Sequence, residues 1–146
     1  MTDNQIEQEI QAKGLTAPRI TPADIEANIA SEHYFTAGEG VIGAFAASEF
    51  ASHRNAVVTL QRGSASPEVL KASLNLLTFC VLVLRNGFTV TGESACASPE
   101  NFDAEVGCKI ARQNAVAKIW PLLGFSLKQK LHEAARVDSI YRALEG

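Results

Sequence analysis

Leu76-Leu77-Thr78-Phe79-Cys80-Val81-Leu82-Val83-Leu84, followed by Arg85-Asn86-Gly87 and then Phe88-Thr89-Val90-Thr91-Gly92-Glu93, is the stretch whose reading decides the fold. The first run is a strand pattern, the last alternates like a half-exposed strand, and Asn-Gly is the strongest short hairpin signal. Read as a two-residue type I′ turn, Asn86-Gly87 pairs Arg85 with Phe88, Val83 with Val90 and Val81 with Gly92. That register places Leu77, Phe79, Val81, Val83, Phe88 and Val90 on a core face. It leaves Leu82 and Leu84 opposite Thr91 and Thr89, and Cys80 opposite Glu93, on a mixed face that needs cover from another element or a second subunit.

Downstream, Ser98-Pro99-Glu100 reads as the start of a helix that runs from Pro99 to Trp120. It carries two stripes. Phe102, Val106, Ile110, Ala117 and Trp120 are the larger apolar residues and are expected in the core. Ala104, Cys108, Ala111, Ala115 and Ile119 make a small-residue face suited to close approach. Glu105, Lys109 and Arg112 lie between them as a helical ion-pair set. Pro121 predicts a break or kink, and after Gly124 a last helix reaches Leu144 with Leu127, Leu131, Ala134, Val137, Tyr141 and Leu144 on its apolar side.

Upstream, residues 4–13 form a short helix with Ile6 and Ile10 on one side and Gly14 just past its end. Thr21-Pro22-Ala23-Asp24 caps a second helix that buries Ile25 and Ile29 and runs to about Ser31. The glycines at 38, 40 and 43 predict an irregular segment from Tyr34 to Gly43. A weaker helix is expected at Ala44–Ala51, a short strand at Val57–Leu60, a loop at Arg62–Pro67 and one or two helical turns at Pro67–Leu74. The fold class is α+β: N-terminal helices, a central antiparallel β-hairpin packed on a long helix, and a C-terminal helix, in one domain over residues 1–146.

Composition sets the class. With 47% hydrophobic and 20% charged residues the chain has the material for a core. The start is polar and acidic, unlike a signal peptide. The apolar run at residues 76–84 is too short to span a bilayer, so no membrane role is expected. Three cysteines without close spacing, and His33, His53 and His132 scattered, give neither a disulfide framework nor a metal site. The formal charge of −3 is uneven: acidic residues dominate positions 1–50, and basic ones dominate positions 108–146. The basic end could face an anion, or the asymmetry is a dipolar solvated surface or the two ends packing on each other.

Gly38-Glu39-Gly40-Val41-Ile42-Gly43 matches a bare dinucleotide pattern but follows a helix in this reading, not the buried strand that a nucleotide site needs. Glu93, Ser94, Cys96 and His33 have the chemistry of a nucleophile and base without spacing that joins them. No catalytic residue, cofactor or metal is assigned. For binding, the candidates are Glu93, Ser94, Asn101, Asp103, Asn114 and Lys118. Asp103, Asn114 and Lys118 share one helical sector with Gly107, whose missing side chain leaves a gap for a ligand or a partner's backbone. Lys109, Lys118, Lys128, Lys130 and Arg136 would serve a nucleic-acid contact, against which the acidic total charge counts.

One block carries a resemblance. Asn86-Gly87-Phe88-Thr89-Val90-Thr91-Gly92-Glu93-Ser94-Ala95-Cys96, Pro99-Glu100-Asn101-Phe102-Asp103, Gly107 with Ile110-Ala111 and Asn114-Ala115, and Trp120-Pro121-Leu122 with Gly124 resemble a family of small tailed-phage proteins. The family is named after gene product forty-nine of a coliphage and gene sixty-six of a Shigella phage. The likeness is closest over residues 76–131, and Ile25-Glu26-Ala27-Asn28-Ile29 with Ser31–Tyr34 resembles the family's N-terminal part. Residues 44–75 are longer and more variable than the pattern, and Cys108 stands where the pattern has a basic residue. The resemblance implies phage or prophage origin, action in the cytoplasm of a bacterial host, and no particular activity. The expected function is that of a non-enzymatic accessory protein that binds and modulates a host or phage protein. A nucleic-acid-associated role is the alternative, and a homodimer through the Leu82–Leu84 face is a further expectation.

Overall fold

Three residues, not two, close the hairpin. In the computed structural model, which describes residues 1–51 and 73–146, the Gly87 amide donates to the Leu84 carbonyl and the Leu84 amide to the Phe88 carbonyl. Arg85, Asn86 and Gly87 form the loop, and the Asn86 side chain accepts from the Phe88 amide at 2.9 Å. Gly87, the last loop residue, lies in the left-handed region at φ +88°, as a three-residue loop requires in place of the type I′ turn. The consequence is a register shifted by one: Leu82 pairs with Val90, Cys80 with Gly92, and Val83 and Val81 with Thr89 and Thr91.

Because strand side chains alternate, a one-residue slip exchanges the faces. The core face holds Cys80, Leu82, Leu84 and Val90, all buried, with Thr78. Leu77, Phe79, Val81 and Val83, expected in the core, are half-buried on the other face, and Phe88 is 56% exposed.

The hairpin strands are β2 (Leu77–Leu84) and β3 (Thr89–Ala95). A third strand that the sequence reading missed, β1 (Ile29–Thr36), pairs antiparallel with β2, giving the order β1-β2-β3. The helix before it, α2 (Pro22–Asn28), has the expected capping box at Thr21 and Asp24 and buries Ile25, but it stops at Asn28 rather than near Ser31. The next helix, α3 (Ala37–Ala51), opens in the segment expected to be irregular. Thr36 and Glu39 start it: the Thr36 hydroxyl accepts from the Glu39 amide, and the Glu39 carboxylate accepts from the Thr36 amide. This reciprocal cap offsets part of the helix cost of the glycines.

The glycine pattern therefore follows a strand after all. Yet that strand is antiparallel to its neighbour, which is not the parallel arrangement of a dinucleotide fold. A side chain at Gly38 would strike Asn75, and Gly40 lies against the Phe35 ring. These glycines make room for packing.

At the N-terminus, α1 (Asp3–Ala12) is capped by Thr2 and Gln5 and ends as expected before Gly14. The strand expected at Val57–Leu60 and the loop at Arg62–Pro67 lie outside the described residues. So do the turns at Pro67–Leu74 up to residue 72; Leu74–Leu76 is a 3-10 turn.

The last element, α4 (Ala104–Glu145), is one helix of 42 residues, roughly 60 Å long at 1.5 Å per residue. Ser98-Pro99-Glu100 does not start it. Pro99–Asn101 is a 3-10 turn, and Asp103 caps the helix by accepting from the Val106 amide at 2.9 Å. Nor does Pro121 divide it. Proline removes one hydrogen bond, to the carbonyl of Ala117, and both residues are exposed, so water can satisfy that carbonyl.

Which stripe of α4 meets the sheet is also the reverse of expectation. Ala111, Ala115 and Ile119 are fully buried on β2 and β3, while Val106 and Ile110 are 52% and 42% exposed. Trp120 is half-buried, and its indole donates to Asp3 of α1 at 3.2 Å. Gly92 explains the choice. A Cβ there would lie 2.1 Å from the Ala111 carbonyl oxygen and 2.3 Å from the Ala115 amide nitrogen. Helix backbone touches strand backbone, and only alanines flanking the contact let it close. Leu82 and Leu84 are thus covered within the chain, which removes the motive for a two-fold partner on that face.

Candidate functional site

Along the outer side of α4, Val106, Ile110 and Asn114 recur every four residues and therefore share one side of the helix. They run beside β3. The Asn114 side-chain amide donates to the Glu93 carbonyl at 2.8 Å and ties the two elements together. Beyond that tie, a cavity of about 200 Å³ opens between the end of β3, the 3-10 turn and the first turns of α4. Ser94, Cys96, Asn101 and Asp103 are its polar lining, and Phe102, Val106 and Ile110 are apolar parts of the wall.

The six candidate binding residues are thus partly gathered. Ser94, Asn101 and Asp103 line one groove, although Asp103 also caps α4. Asn114 is not part of its lining and braces α4 to β3 through the Glu93 carbonyl. Glu93 contributes its carbonyl there, while its side chain stands on the opposite face with Phe79, its pairing partner. Lys118 is exposed one turn past Asn114. At Gly107 Thr78 packs from β2 into the space a side chain would take, its hydroxyl 3.0 Å from where a Cβ would stand, and Gly107 also forms part of the cavity wall. Thr78 is buried, and among the described residues its hydroxyl has no hydrogen-bond partner.

The nucleophile-and-base residues are not assembled. His33 is on β1, with its ring nitrogen 3.0 Å from the Ser31 hydroxyl, while Cys96 lies past the end of β3 and donates to the Ser98 carbonyl. The strand β2 separates them. All three cysteines are free.

On the other flank of α4, sequence reading missed a polar centre. Lys109 pairs with Glu105 as expected, but Arg112 turns to the N-terminal part of the chain. It donates two hydrogen bonds to Glu26, at 3.0 and 2.7 Å, and a third to Glu32. Tyr34 donates to the same Glu32 carboxylate at 3.0 Å. The guanidinium holds the Glu32 carboxyl below its ordinary range, and its bonds to Glu26 hold Arg112 itself more firmly protonated. Burial, then the bond to Glu32, raises the Tyr34 phenol, and burial raises the neighbouring Cys80 thiol. A cavity of about 610 Å³ beside it is lined by Glu26, Lys109, Arg112 and Gln113, by Val116 and Ala117, and by residues 1–4. Here Arg112 of the basic segment meets Glu26 and Glu32 of the acidic one, while the basic residues from Lys128 onward are exposed. The excess of acidic residues over positions 1–50 was the available signal, though not the pairing.

The five basic residues of the nucleic-acid alternative all lie on α4. At about 100° per residue, Lys118 and Arg136 fall opposite Lys109, and Lys128 and Lys130 point to two further sides. They make no single basic face. Among the described residues no helix is long and apolar enough to cross a membrane, and no group of three His, Cys, Asp or Glu residues is placed to hold a metal ion.

Residues 20–131 match the Phage protein (N4 Gp49/phage Sf6 gene 66) family. The chain belongs to that family. No curated protein and no solved structure matches it.

Proposed function

We propose that this member of a phage protein family is a small, non-enzymatic accessory protein that binds and modulates a host or phage protein inside the bacterial cell. The observation that carries the reading is the outer stripe of α4. Val106 and Ile110 stay about half exposed beside a groove edged by Ser94, Asn101 and Asp103. Apolar side chains at a concave site with a polar rim are the usual anatomy of a protein-binding surface. The burial of Ala111 and Ala115 in their place gives the exposure a cause: the helix spends its small face on the sheet and keeps its larger residues outward.

Affinity purification of the tagged chain from phage-infected bacteria tests the reading. A stoichiometric protein is expected to co-purify, and Ile110→Glu is expected to lose it without changing the melting temperature. Salt-released nucleic acid in place of a protein, or full capture by Ile110→Glu, would overturn it.

A further inference from the structure

We infer that the groove in which α1 sits, between α2 and α4, is a helix-binding site, and that an acidic amphipathic helix of another protein enters it in place of α1. This groove lies on the Arg112 flank of α4. It shares no lining residue with the groove at Ser94, so either surface can fail without the other.

The helix already seated there shows what the groove takes. Asp3, Ile6, Glu7 and Ile10 are spaced i, i+3, i+4, i+7 and share one side of α1. All four line a cavity of about 250 Å³ whose other walls are Ile20, Pro22 and Trp120. The polar contacts of this face run one way. The Trp120 indole donates to Asp3 at 3.2 Å, and Arg19 donates to the two Glu7 oxygens at 2.6 and 2.7 Å. In each, the helix supplies a carboxylate and the groove supplies the donor. The fitting occupant therefore repeats the order acidic, apolar, acidic, apolar at that spacing. These are the anchor positions of helix-in-groove recognition.

As an occupant, α1 is weakly held. None of its residues is buried: Ile6 is exposed, and Ile10 is half-buried. Close packing leaves few spaces larger than a water molecule. Here Asp3 borders two cavities, the one of about 250 Å³ and the one of about 610 Å³ at Lys109 and Arg112. A helix of ten residues is also marginal by itself. Finally, residues 20–131 match the family. Ile20, Pro22, Arg112 and Trp120 lie inside that match, and α1 lies outside it. The walls of the groove belong to the shared part of the chain, and the helix now in it does not.

The test uses the full chain and a peptide of residues 1–14, blocked at both ends, carrying Ile6→Leu and Ile10→Phe to fill the cavity. Trp120 is the one tryptophan of the chain, so its emission reports on the groove. Saturable binding with a change in that emission is expected. In the protein, Ile6→Asp sets a charge against the apolar walls and unseats α1. It should tighten peptide binding by at least about tenfold, because apparent affinity follows the fraction of chains whose groove is open. Arg19→Glu should lose the peptide and regain it when the peptide carries Glu7→Lys, a rescue that a misfolded chain would not give. Emission unchanged at millimolar peptide would overturn the inference. So would equal affinity for the native chain and Ile6→Asp, since α1 would then not occupy the peptide's site. A doubling of mass without peptide, lost on Ile6→Asp, would also overturn it, because a second copy's α1 would then be the occupant.

Discussion

The two halves of α4 differ although the sequence describes both as amphipathic. Between Ala104 and Ile119 the helix buries alanines and one isoleucine and leaves Val106 and Ile110 outward. From Lys128 to Gly146 every residue is exposed, Leu131, Val137, Ile140, Tyr141 and Leu144 included. In the first half the partner surface chose the face. Gly92 offers a contact so close that only small residues enter, and shape overrides the larger hydrophobic gain of the other stripe. In the second half nothing among the described residues covers the apolar side. An amphipathic pattern marks the face that would bury best, and burial still needs a surface to meet.

The largest effect is expected at the contact itself. Gly92→Ala puts a methyl group into the backbone of α4 and should cost about 3 kcal/mol or more, beyond ordinary overpacking, since backbone cannot rotate away. Chemical denaturation checks this. A cost under about 1 kcal/mol would mean that α4 stands off the sheet.

Three isoleucines in one helix sharpen the comparison. Ile119 is fully buried, while Ile110 and Ile140 are 42% and 50% exposed. Ile119→Ala should cost about 3 kcal/mol, and each of the other two under about 1 kcal/mol in the isolated chain. Equal costs at Ile119 and Ile110 would reverse the helix face assigned to the core.

The smallest effect is electrostatic. Arg112 holds the folded Glu32 carboxyl below its ordinary value of 4.5. A depressed carboxyl stabilises the fold above the unfolded value, and that stability is lost as pH falls through the folded one. Glu32→Gln should therefore lower the melting temperature at pH 7, by an amount equivalent to under about 1 kcal/mol, because solvent screens the pair. The difference should shrink as pH drops below about 4.5. A difference independent of pH would remove the ion pair as its cause.

Some of the fold was legible. The Thr21 capping box, the short first helix, the hairpin strands and the small-residue stripe all follow from local chemistry, and the family was readable in the block from Asn86 to Gly124. Two further local signals lie in the sequence. Thr36-Ala37-Gly38-Glu39 is a capping box hidden among glycines, and Asp103 is a better helix cap than Ser98. Of the candidate site, Ser94, Asn101 and Asp103 do share a groove, whereas Arg112, Glu26 and Glu32 meet only through contacts far apart in sequence.

By itself the sequence determined the element types and their order along most of the described chain, because caps, turn residues and periodicity act over a few neighbouring residues. Tertiary structure decided the register of the hairpin, the face of the sheet that became core and the stripe of α4 that met it. Those choices hang on one extra loop residue and one glycine. A loop of two or three residues reads much alike in sequence yet inverts every strand side chain after it, and Gly92 acquires its meaning only when Ala111 and Ala115 are brought against it.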